Sequence, residues 1–127
     1  MHEDRVIVLL CEWLSSKGYE NIKHTRSTQQ GHDIETTGPN GVPLYVECKG
    51  STNEEGREFS WDYKYRCVTS AFFNQVRHRE IKPPQTEVGI AFPDDKDYRF
   101  RMDPFRTFCE RNRLRIFWVS ENSVSEW

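Results

Sequence analysis

The chain predicts an α/β fold, and three observations carry that reading. Apolar residues recur at helical spacing in well-separated stretches, short strand-like runs lie between and after them, and Gly, Pro and Asn mark the joints. Residues 2–17 predict a helix, with Val6, Leu9, Leu10, Trp13 and Leu14 on one stripe and Lys17-Gly18 as its stop. Tyr19 to Thr25 reads as a first strand, followed by a polar loop from Arg26 to Gln30. Two further strands follow as a hairpin. Residues 51–63 read as a polar loop with a short extended piece at Phe59-Ser60-Trp61. A second helix covers about 65–80, with Val68, Ala71, Phe72, Gln75 and Val76 on one stripe, and Lys82-Pro83-Pro84 ends it. Thr86 to Phe92 is a strand. Asp103-Pro104 predicts a helix start, an oxygen cap followed by proline at the first position. Phe105, Phe108 and Cys109 give that helix an apolar face, and Leu114 to Ser120 forms a last strand. Strands alternating with helices argue α/β. The 127 residues are enough for one domain with its own core, and nothing resembling a linker or an internal repeat divides them.

The hairpin concentrates the chemistry. Pro43 to Lys49 alternates as a strand with one buried face, so Leu44, Val46 and Cys48 point one way and Tyr45, Glu47 and Lys49 the other. A loop at Pro39-Asn40-Gly41, with Gly in the left-handed position, sets Ile34 opposite Val46 and Asp33 opposite Glu47. Opposed residues of an antiparallel pair share a face, with Cβ atoms about 4.5–5.5 Å apart. Two carboxylates so placed repel unless one is protonated or a cation lies between them, and carboxylate oxygens suit Mg²⁺ or Mn²⁺. A shift of one residue in register would put the two acids on opposite faces. Glu35 is a further acid on this hairpin, expected to be solvent-exposed.

An acidic residue on one strand followed by Glu-x-Lys on the next resembles the PD-(D/E)XK, or restriction-endonuclease-like, nuclease superfamily. The matching positions are Asp33, Glu47 and Lys49, with Gly31 and Gly50 flanking them as in many members. The family usually has Pro before the Asp, and this chain has His32. Gly31-His32-Asp33-Ile34 and Val46-Glu47-Cys48-Lys49-Gly50 look most like the restriction and repair branch, including Holliday-junction-resolvase-like domains. The resemblance implies an α-β-β-β-α-β core with a central mixed sheet flanked by helices, here extended by a C-terminal helix and strand. It implies that Asp33, Glu47 and the backbone carbonyl of Cys48 hold Mg²⁺ or Mn²⁺, and that Lys49 positions or activates the attacking water. An acid from the first helix often joins such sites; Glu3 is the first choice here and Glu12 the second. Several branches carry a Gln on the helix after Glu-x-Lys. Gln75, in the run Ala71-Phe72-Phe73-Asn74-Gln75, is that residue here, expected at the site edge to orient water or phosphate.

The net charge of −2 does not advertise nucleic-acid binding, but the distribution does more. Residues 96–115 hold seven Lys and Arg against three Asp and Glu, and Arg77-His78-Arg79 adds a second basic cluster. Arginine's planar fork suits phosphate, so Arg77, Arg79, Arg99 and Arg101 are the expected DNA contacts. Cys11, Cys48, Cys67 and Cys109 lack zinc-ligand spacing and read as reduced structural thiols. His2, His24, His32 and His78 make no metal motif, and His32 is expected to point away from the face of Asp33. No segment approaches transmembrane length, and the short apolar stretch at 6–14 follows acids, unlike a signal peptide; a cytoplasmic protein is expected. The leading expectation is a DNA endonuclease acting as a homodimer or recruited by a partner. The competing ones are an inactive nuclease-fold module that binds nucleic acid or a protein, and an unrelated interaction domain in which Lys49 merely neutralises Glu47.

Overall fold

Helix α1 (Glu3–Ser16) starts where the His2 side chain accepts a hydrogen bond from the Asp4 amide, and its stripe of Val6, Leu10 and Leu14 is fully buried. The computed structural model describes residues 1–25 and 32–127. The loop expected at Arg26 to Gln30, together with Gly31, lies outside the described residues. After α1 come strands β1 (Glu20–His24), β2 (Ile34–Thr37) and β3 (Pro43–Cys48), helix α2 (Trp61–Ile81) and strand β4 (Glu87–Pro93). Helix α3 (Lys96–Met102), a 3₁₀ turn (Asp103–Phe105), helix α4 (Arg106–Arg111) and strands β5 (Leu114–Val119) and β6 (Val124–Glu126) complete the chain.

The architecture is α/β: among the described residues a single six-stranded sheet runs in the order β1-β2-β3-β4-β5-β6. The pairs β1–β2, β2–β3 and β5–β6 are antiparallel, while β3–β4 and β4–β5 are parallel. Each parallel pair needs a crossover, supplied first by α2 and then by α3 and α4. Helix α1 covers one face through Leu44, Val46, Cys48, Ala91 and Phe117. Helices α2, α3 and α4 cover the other through Val88, Ile90, Phe92, Ile116 and Trp118. Strand β4 lies between helices on both faces, which is why its residues from Val88 to Pro93 are all buried.

The expected hairpin register is the observed one: Ile34 pairs with Val46 and Thr36 with Leu44. Gly41 takes the left-handed conformation, with φ 77°, that the turn requires. Three expectations change. Helix α2 begins at Trp61 rather than about 65, because the Ser60 side chain caps it by accepting from the Tyr63 amide; Phe59-Ser60-Trp61 is therefore a helix start, not an extended piece. Asp103-Pro104 does not open the third helix. The start belongs to Asp95, which accepts from the Tyr98 amide at 2.8 Å, and proline falls in the 3₁₀ turn between α3 and α4. Strand β6 was not anticipated; its three residues carry too little pattern to stand out. Among the described residues no helix is long and apolar enough to cross a membrane.

Candidate active site

The end of β3 brings the acids together. The register that pairs Ile34 with Val46 puts Asp33, one residue before β2, across from Glu47. Asp33 Oδ2 accepts a hydrogen bond from the Cys48 amide at 2.7 Å. Lys49 Nζ lies 3.3 Å from Glu47 Oε1, and both side chains are largely buried, at 18% and 17% exposure. The start of α1 closes the third side. Met1 and Ser51 bond through backbone and side chain, His2 bridges Thr52, and a Cβ on Gly50 would lie 2.4 Å from the Glu3 nitrogen. Only glycine allows this approach, and it sets the Glu3 carboxyl among Glu47 and Lys49. Tyr98, fully buried on α3, donates from its hydroxyl to the Gly50 carbonyl at 2.6 Å and fixes the strand end from the other side.

Electrostatics follow from that crowding. Burial pushes the Asp33 carboxyl up to about 7; the Cys48 amide opposes this, while Glu47 and Glu3 add to it. Burial also raises the Glu3 pKa, with Lys49 opposing and Glu47 and Asp4 adding. For Lys49, burial works downward, but Glu47 and Glu3 outweigh it and the net shift is upward. Lys49 is therefore a cation at neutral pH, a donor and not a base. Among the described residues no three His, Cys, Asp or Glu side chains converge as a ready-made metal cage. The oxygen donors on offer are the opposed pair Asp33 and Glu47, with Glu3 beside them.

The other expected site residues distribute differently. Glu12 is exposed at the far end of α1 beside Trp13, Glu121 and Ser123, so Glu3 alone of the two helix acids joins the cluster. Gln75 is fully buried on the α2 stripe, as expected, but its amide does not face the site edge. Nε2 donates to the carbonyls of Gly89 at 2.7 Å and Tyr45 at 3.3 Å, and Oε1 meets His78 Nδ1 at 2.7 Å. The residue clasps β3 to β4. Glu35 is half-buried opposite Tyr45.

His32 corrects a further expectation. Its ring packs 4.6 Å from both Tyr45 and His78, so it lies on the Tyr45 face rather than away from it. The chain bends at Asp33 before β2 begins, and strict alternation does not survive a bend. Burial, then Lys82, lowers the pKa of both His32 and His78. The pairing of His78 with Gln75 was missed, although their spacing of three on a helix is the signal that joins them.

Of the four expected DNA contacts, three are engaged within the chain. Arg79 donates to the carbonyls of Thr86, Pro83 and Pro84. Arg99 pairs with Asp94 at 2.7 Å and stacks over Trp118. Arg101 lies between the rings of Trp61 and Tyr65. Arg77 is exposed. All four cysteines are free thiols, with pKa raised by burial. A cavity of about 580 Å³ lies elsewhere, at the start of β4 and β5. Its Arg115 is paired to Glu87 and Glu126 at 2.7 Å each, which makes it a charge-balanced crevice.

No family model, no curated protein and no solved structure matches this chain. What the cluster does must be argued from its own chemistry.

Proposed function

We propose that the chain is a metal-dependent nuclease hydrolysing phosphodiester bonds, in the first instance a DNA endonuclease on a restriction-endonuclease-like core. The observation that carries this reading is the opposed pair Asp33 and Glu47 at the end of β3, with Lys49 3.3 Å from Glu47, the Glu3 carboxyl within their electrostatic reach, and the Asp33 carboxyl pushed up to about 7. Three acids around one lysine leave an excess of negative charge in a half-buried place, and hard oxygen donors there fit a divalent cation such as Mg²⁺ or Mn²⁺. Asp33, Glu47 and the Cys48 carbonyl would hold it. When bound, such an ion would neutralise charge on the phosphate and acidify water. The element order supports the core: a helix, three antiparallel strands, a crossover helix and a parallel strand.

The chain's own groups divide the remaining work. Lys49, protonated at neutral pH, donates to a phosphate oxygen and stabilises the charge that grows as water attacks phosphorus. Glu3, whose pKa burial raises, accepts the proton of that water as its oxygen bonds to phosphorus, while the opposite P–O bond breaks and the leaving strand's oxygen takes a proton from solvent. Tyr98 and Gly50 hold Lys49 and Glu3 at their separation. A binding-only module is the second reading, favoured by the ion pair that already occupies Glu47.

The test is cleavage of supercoiled plasmid and of a branched DNA by the purified chain with Mg²⁺, Mn²⁺ or EDTA. Metal-dependent cutting that disappears in Asp33→Ala and in Lys49→Ala is expected. A folded protein that neither cuts nor binds Mn²⁺ by calorimetry would leave the binding module.

A further inference from the structure

Beside Lys49 the surface opens into a groove of about 290 Å³, lined by Glu3, Lys49, Gly50, Phe59, Tyr63 and Cys67 among others. Its volume is at the lower end of ligand sites, suited to one small planar group. Phe59 and Tyr63 stand 4.4 Å apart, ring to ring, on the wall of this groove. Tyr63 is 48% exposed, while Phe59 is half-buried. The pair is held firmly. The Phe59 amide donates to the Ser51 carbonyl at 2.8 Å, Thr52 bridges Glu58, and Ser60 caps α2 at the Tyr63 amide at 3.1 Å. The aromatic wall is therefore tied to the same strand end that carries Lys49. Isolated exposed aromatics need no explanation, but a fixed pair sharing a groove with a buried lysine and a carboxylate has a specific chemistry. Rings offer a flat face to a nucleobase, and stacking of this kind is tolerant of sequence.

We propose that Phe59 and Tyr63 form a stacking platform for an unpaired nucleobase of single-stranded DNA, next to the phosphate that Lys49 receives. This deepens the nuclease reading and rests on it for the placement of the phosphate. Bases inside a duplex are already stacked on both faces, and freeing one costs energy. The groove thus selects strands with an unpaired nucleotide, such as tails, flaps and junction arms, over uninterrupted duplex. A base is neutral and is not repelled by the acids in the groove; its phosphate falls at Lys49, and the Ca²⁺ of the binding assay offsets the excess carboxylate charge there.

The experiment uses the whole chain and a single-stranded oligonucleotide carrying 2-aminopurine, whose fluorescence is quenched by stacking. Binding is read in Ca²⁺ and cleavage in Mg²⁺ or Mn²⁺. The wild type and Tyr63→Phe are expected to quench the probe, and Tyr63→Ala to bind it about tenfold more weakly. Phe59→Leu, which keeps an apolar group against the loop, is expected to weaken binding in the same direction. Circular dichroism confirms that each variant is folded. Cleavage without quenching overturns the platform and leaves the nuclease reading intact. Quenching without cleavage supports the platform and overturns the nuclease. Loss of neither binding nor quenching in Tyr63→Ala overturns the platform, and absence of both quenching and cleavage in the wild type overturns both.

Discussion

Lys49 and Lys64 each lie among carboxylates, and they are built in opposite ways. Lys64 on α2 is 3% exposed, with Nζ 2.6 Å from Glu58, 3.0 Å from Asp97 and 3.2 Å from Asp95. An ammonium has three donors, and here each has an acceptor. Burial works to lower its pKa, but the three hydrogen bonds raise it well above the usual value. That cluster ties the loop before α2 to the start of α3 and has no use for a ligand. Lys49 has one carboxylate in contact, at 3.3 Å, while Asp33 and Glu3 stay crowded, the pKa of each raised chiefly by burial. A satisfied charge network stabilises a fold. An unsatisfied one of similar composition costs stability and marks a place where something else binds.

The sharpest contrast is between truncating the two lysines. Lys49→Ala should lower cleavage about 10²–10³-fold, the usual effect of removing one donor to a developing oxyanion, while lowering the unfolding midpoint less than Lys64→Ala does, because Lys49 has one carboxylate in contact and not three. Lys64→Ala should do the reverse. Urea unfolding should show a loss of about 2–3 kcal/mol, less than for a fully buried network because Glu58 is largely exposed, with cleavage per folded molecule kept within a few-fold. A stable Lys64→Ala protein that cannot cut DNA would abolish the distinction.

Gly50→Ala probes how α1 joins the site. The added methyl meets the backbone of Glu3, so the helix must shift. A loss of about 1–3 kcal/mol is expected, with a fall in cleavage that Glu3→Gln alone should reproduce. If Glu3→Gln cuts normally, Glu3 is no part of the chemistry and the helix start is only packing.

The smallest effect concerns the Asp33 proton. Its folded pKa of about 7 is above the ordinary 3.8. The folded state holds the proton more tightly, so this group's contribution is at its most favourable below about pH 4. It is lost progressively as pH rises to about 7. Asp33→Asn should therefore raise the unfolding free energy at pH 8 by about 1 kcal/mol after allowing for solvent screening, read as a higher unfolding midpoint, and change little at pH 4. Mg²⁺ should narrow the gap by stabilising the wild type alone. Equal midpoints at both pH values would mean that the carboxyl is not crowded.

The candidate site was half legible. Asp33, Glu47 and Lys49 could be placed because alternation in a strand and the chemistry of a Pro-Asn-Gly turn act over a few residues. Glu3 could be named only as one of two acids, since no local pattern says which end of a helix touches a sheet. Gln75 was recognised as a polar residue on a buried stripe, but its partners are the carbonyls of Tyr45 and Gly89, far apart in sequence. The arginines misled for a related reason: a basic run reads the same whether its guanidinium groups face solvent, as Arg77 does, or are held by carbonyls and rings, as Arg79 and Arg101 are.

By itself, then, the sequence determined the α/β class, the order of most elements, and the hairpin register that opposes an aspartate and a glutamate. These follow from periodicity, turn residues and capping groups, all local. Only the tertiary structure decided that Glu3 reaches the cluster, that His32 turns onto Tyr45 and His78, and that a rigid aromatic pair flanks Lys49. Each of those depends on how elements distant in sequence dock, and the decisive contact is the bare backbone of Gly50 against the start of α1, where a single hydrogen in place of a side chain lets two strand ends and a helix meet.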